Sequence, residues 1–343
     1  MGPEIVIASA ALHTGISLAL LARMAPARAP GRGVIGQKVS IIIPARNEAH
    51  HLPRLLDSIP SDLPLEIIVA DDGSDDGTAH VAEKHGARVI ACGTPPPGWI
   101  GKSWACWQGA NAAKGDVLLF LDADCWFSPG GYEKLLECHR GGAMSVLPWH
   151  EVRKPVEQLS AFFNLVMAAS NLGTDLFGQC LCVGKEDYRK AGGHAAVKDC
   201  ILETVMLGKL LRDAGVSVSS IPGEGLLLMR MYPDGLKQII DGWSKGFAQG
   251  ASTVTPGRML MITAFLGGLF LPMVVPFVFP WLAPLYLLYA GTLFLLFRRI
   301  GSFSWWAAVL FPVPMLFYQI VFLRALAGAG KKTQWKGRPV HAP

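Results

Sequence analysis

The apolar positions of this chain change their spacing twice, and each change marks a different kind of structure. Residues 5–24 form an apolar run of the length a bilayer crossing needs. Residues 39–43, 65–70, 87–91 and 117–121 are short β-rich runs instead, separated by stretches of helical period such as 48–59 and 78–85. That alternation predicts an α/β domain with a doubly wound, mostly parallel sheet and helices on both faces, whose ligands sit beyond the carboxyl ends of the strands. From residue 259 the sequence is almost continuously apolar and offers three candidate spans, 259–279, 281–297 and 304–323. Pro312 and Pro314 leave room for a broken or re-entrant last segment. Residues 159–172 and 236–247, both largely apolar and the second carrying Lys237 and Lys245, fit helices lying in the membrane interface, with core helices as the alternative reading.

Composition agrees with a membrane module. Of 343 residues 51% are hydrophobic and only 17% charged, too apolar for an ordinary soluble domain. Residues 251–343 carry eight Lys and Arg and no Asp or Glu; against a whole-chain charge of +5 this leaves the first 250 residues at −3. The basic balance therefore belongs to the membrane module, and no nucleic-acid surface is expected. Arg23, Arg28, Arg32 and Lys38 follow the first apolar run and place what comes next in the cytosol. No basic segment precedes that run, which favours an anchor over a cleaved signal. The expected organisation is an anchor and linker over 1–35, a cytosolic domain with interfacial helices over 36–250, a membrane module over 251–330 and a basic tail over 331–343. The expected location is the cell membrane, with several crossings. Seven cysteines, an odd number without a C-x-x-C pair, argue against a disulfide framework and a structural zinc site.

Three polar clusters fall at the ends of the expected strands. The first strand runs into Pro44-Ala45-Arg46-Asn47-Glu48, and the second into Asp71-Asp72-Gly73-Ser74-Asp75-Asp76-Gly77. Asp72 is placed to accept from a base N–H or ribose hydroxyls, with turn chemistry the competing reading, while Asp75 and Asp76 read as helix caps. The fourth strand ends in Asp122-Ala123-Asp124, a carboxylate pair suited to a hard divalent cation, Mg or Mn, that bridges a diphosphate. Between these lies Pro95-Pro96-Pro97-Gly98-Trp99-Ile100-Gly101-Lys102, whose lysine precedes a helix start, a sensible place for a phosphate counter-charge; the glycine spacing is not that of a P-loop.

Taken in order, Pro-Ala-Arg-Asn-Glu, Asp-Asp-Gly-Ser, Gly-Trp-x-Gly-Lys and Asp-Ala-Asp resemble glycosyltransferase family 2, with its GT-A fold, over residues 38–250. Met229-Arg230-Met231-Tyr232 and Gly242-Trp243-Ser244-Lys245-Gly246 ahead of the terminal spans resemble the membrane branch that glycosylates lipids, including bacterial carotenoid-acid glucosyltransferases and, more distantly, ceramide glucosyltransferases. The resemblance implies that Pro44, Glu48 and Asp72 hold the nucleoside and Lys102 the diphosphate. It implies Asp122 on the ribose or the metal, and Asp124 as the principal metal ligand. The family draws its base from a Glu-Asp pair opening a helix. Here that place reads Glu203-Thr204, so Glu203 inherits the role, with Asp199, one turn earlier on the same helical face, as a substitute.

The activity implied is a single, inverting transfer of a sugar from a nucleotide donor, UDP-glucose, to a lipid-soluble acceptor such as a carotenoid acid. The Gln-x-x-Arg-Trp motif of processive polymer synthases is matched only at Trp243. The rival readings are a polyprenyl-phosphate glycosyltransferase and a catalytically silent nucleotide-sugar sensor.

Overall fold

The computed structural model describes residues 2–27, 37–61, 65–200 and 202–327, together with the backbone of 333–335 and 338–340. Most of the expected linker, residues 28–36, and the tail cations Lys331, Lys332 and Lys336 lie outside the described residues. The chain forms two compact units. One comprises residues 26–149, 173–229 and 330–343; the other comprises 1–25, 150–172 and 230–329. The segment 36–250, expected as one domain, thus contributes to both.

The first unit is built on β1 (Val39–Ala45), β2 (Leu65–Asp71), β3 (Arg88–Ala91), β4 (Val117–Leu121), β5 (Ala143–Leu147), β6 (Cys180–Gly184) and β7 (Val218–Pro222). Their order across the sheet is β3-β2-β1-β4-β6-β5-β7. Only β6 runs antiparallel to its neighbours. Ile41, Ile42, Leu118 and Leu119 are fully buried, as in a parallel sheet covered on both faces, where side chains of either parity meet apolar neighbours. The Gly101–Ala112 helix lies tightly on β1: a Cβ on Gly109 would come within 2.5 Å of Ile42 Cγ2. This close approach fixes where the helix begins, and with it the place of Lys102.

One expected helix is much shorter than its pattern. Residues 48–59 yield only Leu52–Asp57. Asn47 adopts a left-handed backbone with φ 55°, and the Glu48 and Ala49 amides donate to Thr78 Oγ1 at 2.8 Å and Asp76 Oδ2 at 3.0 Å. Those amides are satisfied across the loop, leaving the helix to start later. Asp76 also accepts from the Thr78 amide at 3.0 Å, although the N-cap residue of the Thr78–Lys84 helix is Gly77 and not Asp76.

The second unit is helical, and the exposed large hydrophobic side chains among the described residues all belong to it, Phe277 and Leu260 at 87% and 72% exposure among them. A surface of this kind requires an apolar surround. Among the described residues three stretches are long and apolar enough to cross a membrane: Glu4–Arg23, Pro256–Val278 and Pro280–Ile300. The expected span at 304–323 is instead two helices, Trp305–Val309 and Pro312–Ala327. Pro312 cannot continue a helix entering from Val309, and the 16 residues that follow measure about 24 Å, short of the roughly 30 Å hydrocarbon core. Phe163 of the Ala161–Asn171 helix stacks on Trp243 at 4.8 Å and meets Tyr318 edge-on at 4.9 Å. Arg230 pairs with the buried Glu157 at 2.6 Å. Gly242 accommodates the Tyr232 ring, which would lie 2.1 Å from a Cβ.

Candidate active site

Strand ends of the first unit supply the site. The β1–β2 register sets Ala45 beside Asp71, so Pro44 sits at the end of β1 and the loops carrying Glu48 and Asp72 leave the sheet side by side. The Asp71 carboxylate is spent on its own turn, accepting from the Ser74 amide at 3.0 Å. Asp72 is fully buried and faces Arg46 at 3.5 Å; the same guanidinium donates to the Asp72 carbonyl at 2.9 Å. Glu48 Oε2 lies 2.6 Å from His51 Nδ1.

The centre of the site is Lys102, in the first turn of the Gly101–Ala112 helix. Its ammonium lies 2.8 Å from Asp122 Oδ1 and 3.3 Å from Glu203 Oε1, and it donates to the Gly178 carbonyl at 3.1 Å. Burial opposes its charge, but Asp122 and Glu203 more than offset that and hold its pKa well above the ordinary lysine value. Glu203 opens the Glu203–Asp213 helix and is nearly buried. The same oxygen that meets Lys102 also accepts from the Thr204 hydroxyl at 3.3 Å.

Asp124 is half-buried beside this group. Its pKa is pushed up to about 7, first by burial and then by the charges of Asp122 and Glu48, while His51 and Lys102 pull the other way. A carboxylate crowded in this way gains from a cation. No cluster of three or more metal-ligating His, Cys, Asp or Glu side chains forms among the described residues. Two carboxylates nevertheless fit Mg2+ or Mn2+, which complete their shells with substrate phosphate and water; the donor set does not suit zinc.

Glu48, Lys102, Asp122, Asp124 and Glu203 are therefore brought into one electrostatic cluster, with Pro44 and Asp72 on neighbouring strand ends. Asp199 is not on the helix face expected of it: the helix begins at Glu203, and Asp199 is exposed in the preceding turn. Three residues of the cluster carried no role in the sequence reading: Arg46, His51 and Gly178. Arg46 stands inside a recognised motif, but a lone histidine and a lone glycine give no local signal of a shared site.

Comparison with known proteins follows this geometry. The model of glycosyl transferase family 2 matches residues 40–159, which include every strand-end cluster up to Asp124. A 4,4'-diaponeurosporenoate glycosyltransferase from Staphylococcus haemolyticus is 37% identical over 69% of this chain and 68% of its own. One of the same name from Staphylococcus aureus is 32% identical over 88% of this chain and 87% of its own. A mannosyltransferase from Pyrobaculum calidifontis, solved in complex with GDP-Man and Mn2+, shares the fold over 95% of this chain and 97% of its own, with a TM-score of 0.53 at 19% identity. With a relative at 32% identity that covers 88% of its length, this chain is an enzyme that belongs to glycosyl transferase family 2.

Proposed function

We propose that this enzyme is a membrane-embedded, metal-dependent, inverting glycosyltransferase that moves a sugar from a nucleoside diphosphate, UDP-glucose in the first instance, to the carboxylate of a lipid-soluble acid. The observation that carries the reading is the state of Glu203. One of its oxygens is held by both the Lys102 ammonium and the Thr204 hydroxyl, so that oxygen is engaged by the protein's own donors and not left open to an acceptor hydroxyl. A hydroxyl acceptor must lose a proton during attack, whereas a carboxylic acid is already ionised at neutral pH. The curated relatives are named for such an acid, a diaponeurosporenoate.

Asp122 and Asp124 would hold Mg2+ or Mn2+, which neutralises charge on the departing diphosphate. Pro44, Glu48 and Asp72 flank the nucleoside, with Arg46 keeping Asp72 in place. As the acceptor oxygen bonds to the anomeric carbon, the bond to the diphosphate breaks and its electron pair leaves with the nucleotide. Lys102 stands ready to meet that charge, and a single displacement inverts the configuration.

The second unit supports a cytosolic orientation of the catalytic side. Arg23 closes the first span and Arg258 begins the second, and both donate to carbonyls that end the Ala161–Asn171 helix. The two flanks therefore share one side of the membrane, and their cations make that side cytosolic.

The test compares matched lipid acid and lipid alcohol acceptors with the wild type and Glu203→Gln. The acid should be preferred, and its glycosylation should survive in Glu203→Gln at a reduced rate. A wild type that prefers the alcohol, and a variant that has lost it, would make Glu203 the base and refute the acid reading.

A further inference from the structure

His13 stands midway along the Glu4–Arg23 span, about 15 Å from either end of a helix that rises about 1.5 Å per residue. It is 3% exposed, and neither of its ring nitrogens makes a hydrogen bond. The ring stacks on Phe265 at 4.9 Å and on Tyr289 at 4.2 Å, so its faces are covered and its polar edge is what a ligand can meet. An unmet polar group is costly in hydrocarbon, and an ionisable side chain kept inside a span calls for a partner.

That side chain lines a cavity of about 470 Å3, shared by the first span and the Pro256–Val278 stretch, together with Ser9, Gly267 and Gly268. The volume is in the range of small-molecule pockets. The glycines make the room: a Cβ on Gly268 would lie 2.7 Å from His13 Nδ1, and one on Gly267 would meet nothing within 4 Å. Leu12 and Val274 also line the cavity and are exposed, so it opens sideways to the surrounding acyl chains. No carboxylate, lysine or cysteine lines it, so it is built to hold a ligand and not to transform one.

The edge of the ring selects the ligand. A histidine buried at this depth is neutral, with one nitrogen donating and the other accepting. Nδ1 faces the end of the Pro256–Gly268 helix, where the Phe265 carbonyl lies near the ring, short of hydrogen-bond geometry; this draws the proton to Nδ1 and leaves Nε2 as a bare acceptor. Thr14 and Ser17 return their hydroxyls to carbonyls one turn back, at 2.9 Å each, whereas Ser9 makes no such bond to a described residue. Ser9 lies one turn from His13 on the same helical face. A ligand hydroxyl suits both, giving its proton to Nε2 and accepting from Ser9 Oγ. A carboxylate would carry charge into hydrocarbon, an ether or ketone would leave Nε2 unmet, and phospholipid chains bring no oxygen to this depth.

We propose that the cavity is a binding site for a membrane-dissolved lipid alcohol, whose hydroxyl is held by His13 and Ser9 near the middle of the bilayer. The site goes beyond the sugar transfer described above and rests only on the membrane placement of the second unit.

The test uses the full-length protein in phosphatidylcholine nanodiscs and four photoactivatable diazirine probes of one chain length: a long-chain alcohol, its methyl ether, the matching acid and the matching alkane. Labelling of the peptides spanning residues 4–23 and 256–278 is read by mass spectrometry. The alcohol should label them saturably and about tenfold more tightly than the other three, the range for one or two neutral hydrogen bonds. His13→Phe keeps the stacked ring and removes both nitrogens, so it should bring the alcohol down to the level of the alkane. Ser9→Ala, at a half-buried position, should weaken the alcohol about threefold and leave the alkane unchanged. Gly267→Leu, which fills the cavity, should abolish labelling by all four. An alcohol bound no better than the alkane would mean that acyl chains alone fill the cavity and would overturn the site. So would preference for the acid, full discrimination in both His13→Phe and Ser9→Ala, or a Gly267→Leu protein that has passed from dimer to monomer, which would make a second copy the occupant.

Discussion

Removing the Lys102 charge is the most informative perturbation of this site. Lys102→Met keeps an unbranched stem of similar length and deletes only the ammonium. With N–O distances of 2.8 Å to Asp122 and 3.3 Å to Glu203, an effective dielectric of about 20 gives attractions of about 6 and about 5 kcal/mol. Most of that is cancelled by the cost of burying the groups, and losing one partner of a buried pair typically costs about 3–5 kcal/mol. The side chains here retain 20% exposure for Lys102, 25% for Asp122 and 10% for Glu203, so water recovers part of the loss. We therefore expect about 2 kcal/mol, or about 4–8 °C in melting temperature for a unit of roughly 200 residues. The variant leaves Asp122, Asp124 and Glu203 with no ammonium among them, so Mn2+ should raise its melting temperature more than that of the wild type. Turnover should fall by about 100-fold or more, since the leaving diphosphate loses a positioned counter-charge. The assay is tryptophan-monitored thermal unfolding in detergent with and without Mn2+, paired with donor turnover. An unchanged melting temperature without metal and turnover within about threefold of wild type would refute the assignment of Lys102 as the site's counter-ion.

Further predictions concern charge, thiols and topology. Asp124 binds its proton more tightly folded than unfolded, so metal-free stability from this group is present at low pH and is lost as pH rises from about 4 to about 7; Mn2+ should stabilise most above pH 7, and Asp124→Asn should abolish that pH dependence in a melting series. The same proton competes with metal, so Mn2+ affinity should decline as pH falls below about 7, measured by titration calorimetry. Six of the seven cysteines are buried, and burial pushes the Cys106, Cys125 and Cys180 thiols well up, so a thiol reagent at pH 7.5 should modify only the half-buried Cys200 quickly, and all seven after denaturation, by mass spectrometry. Protease added outside intact cells should spare residues 38–149, and cleavage there would reverse the orientation; alkaline washing should leave the protein in the membrane.

Sequence alone determined the elements whose physics is local. The strands at Val39–Ala45, Leu65–Asp71 and Val117–Leu121 are predominantly apolar runs suited to a sheet covered on both faces, and the polar groups that follow them, Glu48, Asp72 and Asp122-Ala123-Asp124, had to fall at one edge of it. The apolar runs at Glu4–Arg23 and Pro256–Ile300 were equally legible, because a bilayer reads length and composition. What sequence could not decide is anything that depends on two distant segments meeting. The helix expected from residue 48 begins only at Leu52, because amides of one loop are satisfied by side chains of another thirty residues on. Asp199 shares a face with Glu203 only if a helix continues between them, and the chain turns there instead. Gly178 carries no motif, yet it lies beside a lysine 76 residues earlier and a helix start that follows it. Most of all, the partner of Glu203 is a matter of tertiary structure. A glutamate opening a helix reads as a base, and only the arrival of Lys102, about a hundred residues earlier in the chain, makes it a counter-ion, since ion pairing is set by the charges within a few ångströms and not by neighbours along the chain.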